Sequence, residues 1–508
     1  MSLSGALSIA MGGVANIESR LAVVSQNVAN ANTPGYAAEV GNQISQSVGG
    51  AGAGVRSLPV TRLTDATLRA QTLQLVSTVA DMTSRQSALQ NLDAVQGIPG
   101  QGNDLASLVG ALGNQFSSLL NQPDSQTAQS AVVGAATILT TAINTISTAY
   151  TTQRNAAQSN LVASVASMNL ALNQIGSISD QVMTLKAANQ STADLENQRD
   201  AVVSRLSGLL NVKTMESQNG DLAVITSAGL TLPTRESSGP FTLANATAVP
   251  QSSYAAGTIP GVLLKGQDVT GRLSGGQTGA NIALRDTVIP TYQAELDEFS
   301  ITISSRFSEQ GLTLFTDSTG VVPALPGVPV QAGYVGFAST IQVNPAVSGS
   351  PSLVRDGTHA VVGGPAGATA FTPNPPGGSA GFSTLINRVL TYALGSDVQS
   401  GVAQAPVNTT GLGPAGTLQA PFSTPAALSD FASSLIGSQA QDSAMVTNQL
   451  QTEHAVQTSL TTKLSAETGV NMDAEMASVV ALQNAYGINA RIISAVQSMW
   501  TQLLTAVQ

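Results

Sequence analysis

Cysteine is absent from this 508-residue chain, and histidine occurs only twice, at His359 and His454. The lack of cysteine excludes disulfide bonds, thiolate metal ligands and cysteine nucleophiles. Two imidazoles also leave few candidates for metal ligation or for general acid and base chemistry. We therefore expect no metal site, no cofactor and no catalytic residue, and the protein is not expected to be an enzyme.

Charge and aromatic side chains are scarce as well. Charged residues make up 9% of the chain and aromatic residues 4%, and 19 basic against 29 acidic side chains give a net charge of -10. A nucleic-acid partner requires a basic surface, so this balance argues against one. The exposed surface must instead consist largely of Ser, Thr, Asn, Gln and Ala, which are buried against neighbours at lower cost than ions.

Signals for secretion or membrane insertion are also missing. The first basic residue is Arg20, and no stretch approaches 18 consecutive apolar residues. A cleaved signal peptide and a membrane-spanning helix are therefore not expected. If the protein leaves the cytoplasm, we expect a route that does not remove a leader.

The chain alternates between helical and β-like texture, which predicts an α+β multidomain fold. Its parts would be a helical coiled coil made by the two ends, a domain of long bundled helices and inserted β-rich domains. The predicted domains are a terminal coiled-coil domain (1–62 and 466–508), a helical bundle (63–210, 280–311 and 425–465), a small β-rich segment (211–279) and an outer β-rich insertion (312–424).

Long helices are predicted wherever apolar residues recur every three or four positions. Ser191 and Asp194 form a capping-box pattern that would start one of these helices. Residues 41–60 have no helical period and contain a run of glycines, so we expect an extended or mobile linker there. The predicted helices are one from residue 3 to about 30–32, then 64–96, 104–121, one or two helices within 125–189, 191–210, 280–309, 383–394, and two from 425 to 508 with a break at Gly469.

Both ends of the chain carry apolar residues at heptad spacing, which is typical of a coiled-coil seam. A single helix of this kind is marginal in water, so we expect the two ends to pair. The nearly uncharged flanks further predict burial among neighbouring subunits. The predicted assembly interface consists of Leu3, Leu7, Ala10, Val14, Ile17, Leu21, Val24 and Val28 in the first helix, and of Met472, Met476, Val479, Tyr486, Ala490, Ile493, Trp500, Leu504 and Val507 in the last.

Other interpretations of the ends remain open at this point. An ordinary helical protein could pair its ends without forming an assembly. A membrane-active amphipathic helix is disfavoured, because its polar face would need the Lys and Arg that attract anionic headgroups. Trp500 and Tyr486 are interpreted as packing anchors rather than as a ligand site.

One stretch has the spacing of a hydrolase nucleophile elbow. Ser379 lies within the sequence Gly-Gly-Ser-Ala-Gly, and an Asp (397, 430 or 442) followed by His454 would complete the order Ser, Asp, His. The elbow requires a strand before the serine, but a proline-rich segment, 372–376, precedes it. We therefore interpret Ser379 as a loop residue and His454 as a polar helix position.

Motifs at the two ends resemble the bacterial flagellar rod, hook and hook-associated proteins. The N-terminal motif runs from Asn27 to Tyr36, and the C-terminal one runs through Gly469–Glu475 to Asn489–Arg491. Ala474 and the Gly487-Ile488 pair depart from the family pattern. The matching residues are Asn27, Asn30, Asn32, Thr33, Pro34, Gly35 and Tyr36, and Gly469, Val470, Asn471, Asp473, Glu475, Asn489, Ala490 and Arg491.

The resemblance implies a structural protein of the extracellular flagellum. It would be exported through the type III channel without a cleaved signal peptide, and its paired ends would form a helical layer that joins hook to filament. The implied partners are the hook protein, the third hook-associated protein and a cytoplasmic export chaperone that holds the C-terminal helix. Another axial flagellar protein, or a surface adhesin or capping module with helical ends, remains the alternative.

Overall fold

The computed structural model describes residues 3–49, 51–97, 100–236, 238–324, 327–423 and 426–507. Long helices dominate this part of the chain, and the strands are short. The α-helices are α1 (Leu3–Asn30), α2 (Ala66–Gln96), α3 (Leu105–Asn121), α4 (Gln126–Ala187), α5 (Ala193–Leu209), α6 (Gly276–Ala283), α7 (Ile289–Glu309), α8 (Pro345–Gly349), α9 (Leu353–Asp356), α10 (Thr384–Arg388), α11 (Leu428–Thr468) and α12 (Met472–Val507).

The strands form small antiparallel sheets rather than one extended sheet. Two sheets have three strands each, in the orders β5-β6-β7 and β10-β9-β8, and the others are two-stranded. The strands are β1 (Glu39–Val40), β2 (Gln43–Val48), β3 (Ala51–Ser57), β4 (Thr61–Arg62), β5 (Val212–Glu216), β6 (Leu222–Thr226), β7 (Thr231–Leu232), β8 (Phe241–Thr242), β9 (Leu263–Leu264), β10 (Gln267–Asp268), β11 (Phe315–Thr316), β12 (Gln342–Val343), β13 (Asp397–Gln399), β14 (Val402–Ala403), β15 (Thr410–Leu412) and β16 (Leu418–Gln419).

The long helices lie where the apolar spacing of the sequence predicts them. The side chains of Asp65, Asp104 and Ser125 accept hydrogen bonds from backbone amides in the first turns of α2, α3 and α4. Such caps satisfy amides that have no partner within the helix. Helix α4 is a single helix of 62 residues, which corresponds to a length of about 93 Å.

Two expectations about local structure were wrong, and one predicted helix starts earlier than expected. Thr192, not Ser191, precedes α5, and its side chain makes no capping bond to the helix backbone; its hydroxyl donates to Glu196 instead (2.7 Å). In place of a mobile linker, the segment 41–60 contains the antiparallel hairpin β2-β3, which has a register shift between Gln46 and Ser47 and packs on α1. The helix expected from residue 280 begins at Gly276, and a π-helical turn joins α6 to α7.

The largest hydrophobic cluster lies between α3, the first half of α4, α7 and the start of α11. Phe307 is at its centre, with ring centroids 6.0 Å from Phe116 and 5.2 Å from Phe315. Buried residues of the 312–424 segment belong to the same cluster, including Phe337 and Leu385. The segment is thus held by burial against the helices, while its strands are only two or three residues long. The division into domains stays a prediction.

A second cluster joins the C-terminal half of α4 and helix α5 to the sheets of residues 212–268. Leu172 and Ile175 of α4, Val203 and Leu206 of α5, and Val224 of β6 are buried there. After α5 the chain thus forms two three-stranded sheets that pack on the helices, and the bounds of a separate β-rich segment stay a prediction.

Helices α1 and α4 pass a test of length and apolar composition for crossing a bilayer. Buried core helices pass the same test. Leu139, Ile143 and Tyr150 of α4 are fully buried in the large cluster, so one face of this helix is a protein core.

Candidate assembly interface

The two ends of the chain meet as an antiparallel helix pair. Asn27, near the end of α1, bonds to Glu475 at the start of α12, whereas Gly13 faces Asn489 farther along. Ile17, Val24 and Leu482 form the buried centre of the contact. The predicted pairing of the ends is therefore present within a single chain.

The predicted seam of α1 faces inward. Ala10, Ile17 and Val24 are buried. The other five seam positions are partly covered, namely Leu3, Leu7, Val14, Leu21 and Val28.

The predicted seam of α12 differs from the stripe that contacts α1. Leu482 and Val496, which the sequence analysis did not select, are the buried apolar residues of this helix, and Val479, Ala490 and Ile493 are partly covered. The side chain of Val507 lies outside the described residues. The remaining predicted positions are 43% to 60% exposed: Met472, Met476, Tyr486, Trp500 and Leu504. Helix α12 has apolar residues on several faces, so spacing alone could not identify the face that α1 covers.

Helix α12 exposes many large apolar side chains even though α1 is paired with it. They lie on more than one side of the helix, and we refer to them together as the outer face of α12: Met472, Met476, Val480, Tyr486, Ile488, Ile492, Met499, Trp500, Leu503 and Leu504. So many exposed large apolar side chains on one helix indicate an interaction site.

Asn27 connects the motifs of the two chain ends. This residue is 1% exposed. Its Nδ2 donates to the Glu39 carbonyl (2.9 Å) and to Glu475 Oε1 (2.8 Å). Its Oδ1 accepts from the Glu39 amide (2.9 Å) and the Tyr36 hydroxyl (3.2 Å). One buried amide side chain thus holds the N-terminal turn, β1 and the start of α12 together.

Two ionisable groups beside Asn27, Tyr36 and Glu39, have a raised pKa. Burial raises the pKa of Tyr36, and the Glu39 carboxylate raises it further. Burial also raises the pKa of Glu39, and the nearby Asp194 acts in the same direction. The contact between the ends is therefore a network of hydrogen bonds in a site that disfavours charge.

The turn after α1 has the geometry that its sequence predicts. The Thr33 amide donates to the Asn30 carbonyl (2.9 Å), and the Tyr36 amide donates to the Thr33 carbonyl (3.2 Å). Gly35 has a φ of 77°, which favours glycine. Asn32 and Pro34 are exposed and shape the turn without being buried in it.

The C-terminal motif forms the break between α11 and α12. Gly469 ends α11, Val470 is partly covered, and the Asn471 side chain accepts from the amides of Asp473 and Ala474 (both 3.1 Å). This is the pattern of a helix N-cap. The Gly487-Ile488 pair departs from the family pattern. Gly487 has open space where a Cβ would lie, so packing among the described residues does not require glycine there.

The second half of the C-terminal motif contributes less to the helix pair. The Asn489 side chain donates to the Ala485 carbonyl of its own helix (3.0 Å) and lies against Gly13 of α1. Ala490 is partly covered, and Arg491 is exposed, as is Asp473.

The residues of the hydrolase pattern occupy ordinary structural positions. Ser379 is an exposed loop residue that no regular strand precedes, and His454 lies on the exposed side of α11. Asp442 accepts a hydrogen bond from the Tyr292 hydroxyl (2.8 Å). Within the described ranges, no group of three His, Asp or Glu side chains could hold a metal ion.

Three family models match separate parts of the chain. The flagellar hook-associated protein FlgK helical domain matches residues 89–320, the flagella basal body rod protein matches 7–36, and the flagellar basal body rod FlgEFG protein C-terminal model matches 466–506. The two terminal matches contain most of α1 and nearly all of α12, and the central one runs from the last residues of α2 past the end of α7.

Individual proteins show the same similarity. The chain is 24% identical to flagellar hook-associated protein 1 of Bacillus subtilis over 42% of this chain and 44% of that protein. It is 27% identical to the Salmonella typhimurium protein of the same name over 45% of this chain and 42% of that protein. The flagellar hook junction protein FlgK from Burkholderia pseudomallei has a solved structure with 22% identity and a TM-score of 0.41, covering 50% of this chain and 46% of that one.

The matched region spans less than half the length of the two curated relatives. Terminal models of flagellar rod proteins nevertheless flank the hook-associated helical domain in the expected order. The chain is therefore similar to flagellar hook-associated protein 1 in its helical domain and to flagellar rod proteins at its two ends.

Proposed function

We propose that this protein is a structural component of the bacterial flagellum that forms the junction between hook and filament. The observation that carries this proposal is the outer face of α12, which stays uncovered although α1 and α12 are paired. In a tube of subunits, neighbouring helix pairs would cover this face. The same contact repeated from copy to copy generates a helical layer.

The proposed partners follow from the family. They are the hook protein on one side, the third hook-associated protein on the other, and an export chaperone that covers the C-terminal helix before assembly. A chaperone at α12 would shield the outer face from aggregation in the cytoplasm. The protein would act outside the cell in the flagellum, after export through the type III channel without loss of a signal peptide, and it would have no catalytic role.

Complementation of a strain that lacks the protein tests this proposal. We expect the double substitution Trp500→Ala with Leu504→Ser to give bare hooks, filament subunits released into the medium and loss of swimming in soft agar. Both side chains are exposed in the single chain, so the fold should persist. The matched control is Leu170→Ser, an exposed apolar residue of α4, which should restore motility.

Normal filaments on cells that carry the double variant would contradict the junction function. Filaments that remain attached while adhesion to surfaces is lost would favour the adhesin alternative.

A further inference from the structure

Three consecutive residues between α1 and the hairpin are each bound through their backbone to a different element. The Ala37 amide donates to Asn197 Oδ1 of α5 (3.3 Å), and Asn197 Nδ2 donates back to the Ala37 carbonyl (3.1 Å). The Ala38 amide donates to the Thr468 carbonyl at the end of α11 (2.7 Å). The backbone of Glu39 is bound on both sides by Asn27 of α1, as described above.

Residues 37–39 are therefore the place where the terminal helix pair meets the bundle. All three are buried, as are Asn27 and Asn197. The Thr468 carbonyl is one of the groups that a helix C-terminus leaves without an internal partner, and Ala38 supplies that partner. We call this arrangement the joint.

A buried ionic group reinforces the joint from the bundle side. Arg62 of β4, which pairs with Glu39 of β1, donates to Glu196 (3.0 Å), to Asn197 Oδ1 (3.0 Å) and to Asp200 (2.7 Å). Asn197 Oδ1 thus accepts from the Ala37 amide, which follows α1, and from Arg62, which precedes α2. The Asn197 side chain therefore connects both of these segments to α5.

We infer that Asn197 is a positioning residue that fixes the orientation of the α1-α12 pair relative to the helical bundle. The inference rests on the proposed function for its consequence, because a tube of identical copies requires every terminal pair to leave its bundle at the same angle. Its physical basis is independent of that function. A connecting segment without hydrogen bonds would leave the terminal helix pair and the bundle free to rotate relative to each other. Residues 37–39 are instead held by hydrogen bonds in a buried site, where water competes poorly for them.

Distance measurements between spin labels test the inference on the isolated full chain, which has no cysteine to interfere. One label is placed on the bundle by Asn173→Cys, and one on the terminal pair by Gln483→Cys; both positions are exposed. The otherwise unsubstituted chain should show a single narrow distance distribution. Asn197→Ala should replace this narrow peak with a broad or split distribution.

Three comparisons separate positioning from a general loss of structure. Gln198→Ala removes an exposed side chain one residue away that bonds only to Asp194, and it should leave the narrow peak unchanged. Asn197→Asp retains the acceptor for Ala37 and Arg62 but loses the donor, and it should broaden the peak less than alanine does. A second label pair outside the terminal helices, Asn173→Cys on α4 with Met215→Cys on β5, should keep its distance in every variant.

Equal distributions for Asn197→Ala and Gln198→Ala would overturn the inference, as would a broad distribution in the chain that keeps Asn197. Neither result bears on whether the protein joins hook to filament, which the motility experiment addresses separately.

Discussion

Single amide side chains join segments of this protein that are distant in the sequence. Asn27 and Asn197 each bond to backbone groups of the same short segment, from opposite sides. An amide side chain suits this role because it can donate and accept at once without introducing charge. This explains why the contact between the chain ends needs few ionic groups.

Replacing Asn27 tests this role at the residue level. Asn27→Ala leaves the Glu39 amide and carbonyl without their buried partner, so we expect a loss of about 1–3 kcal/mol in the stability of the terminal pair. Amide hydrogen exchange of α1 and α12 should accelerate accordingly. Asn32→Ala, in the exposed part of the same motif, is the control and should leave exchange unchanged. Identical protection in both variants would refute this role of Asn27.

Glu295 of α7 gives the bundle a pH dependence. Burial raises its pKa to about 8, against an ordinary value of 4.5, and the charge of Asp442 acts in the same direction. Its Oε2 accepts from Gln439 (3.0 Å), while its Oε1 has no hydrogen-bond partner among the described residues. The folded chain therefore binds the Glu295 proton more tightly than the unfolded chain does, and this contribution to stability falls as pH rises from about 4.5 through about 8.

Thermal unfolding between pH 6 and 9 measures this contribution. Relative to Glu295→Gln, which carries no titrating proton, the unsubstituted chain should lose melting temperature as the pH rises. Asp297, whose pKa burial raises to about 7, is retained in both proteins and cancels in the comparison. Parallel curves for the two proteins would show that Glu295 does not titrate in this range.

At the scale of elements, one glycine of α4 allows another segment of the chain to pack directly against the helix backbone. At Gly176, a Cβ would overlap the Thr234 carbonyl oxygen, so this glycine lets the segment after β7 touch the helix backbone. At Gly134, on the same helix, the equivalent position is open within the described part of the chain. The two glycines therefore have different structural roles.

A pair of alanine substitutions separates helix propensity from this contact. Gly134→Ala should stabilise the chain by up to about 1 kcal/mol, because alanine is the better helix former. Gly176→Ala carries the same gain but forces the Thr234 backbone away from α4, so we expect net destabilisation. Urea denaturation of the two variants compares them directly, and stabilisation by both would show that the Gly176 contact is unimportant.

Across the whole molecule, local patterns could be predicted from the sequence, whereas the choice between surfaces could not. The bounds of α1, α3 and α11 follow from periodicity, caps and the breaks at Pro34 and Gly469, which are local signals. The hairpin β2-β3 was missed because β2 is mostly polar and β3 contains Gly52 and Gly54, so neither strand shows a clear alternation of apolar and polar residues. Pairing between the two strands and packing on α1 determine the hairpin instead.

The contacts of α12 and the joint lay beyond local reasoning for a different reason. Leu482 and Val496 belong to one of several apolar stripes on α12, and only the position of α1 distinguishes them from Trp500 or Met476. Asn197 is a single polar residue on an amphipathic helix, and its bonds to Ala37 connect residues 160 positions apart. Neither the contact face of α12 nor the bonds of Asn197 produce a recurring residue spacing from which they could be predicted.

We propose that neighbouring copies cover the outer face of α12 in the assembled flagellum. A cysteine introduced by Met476→Cys provides the most direct measurement, since maleimide labelling in an otherwise cysteine-free chain reports the exposure of that position. We expect rapid labelling of the free chain and strong protection in purified flagella, with Met215→Cys labelled in both as the control. Equal labelling of Met476→Cys before and after assembly would show that neighbouring copies do not cover this position.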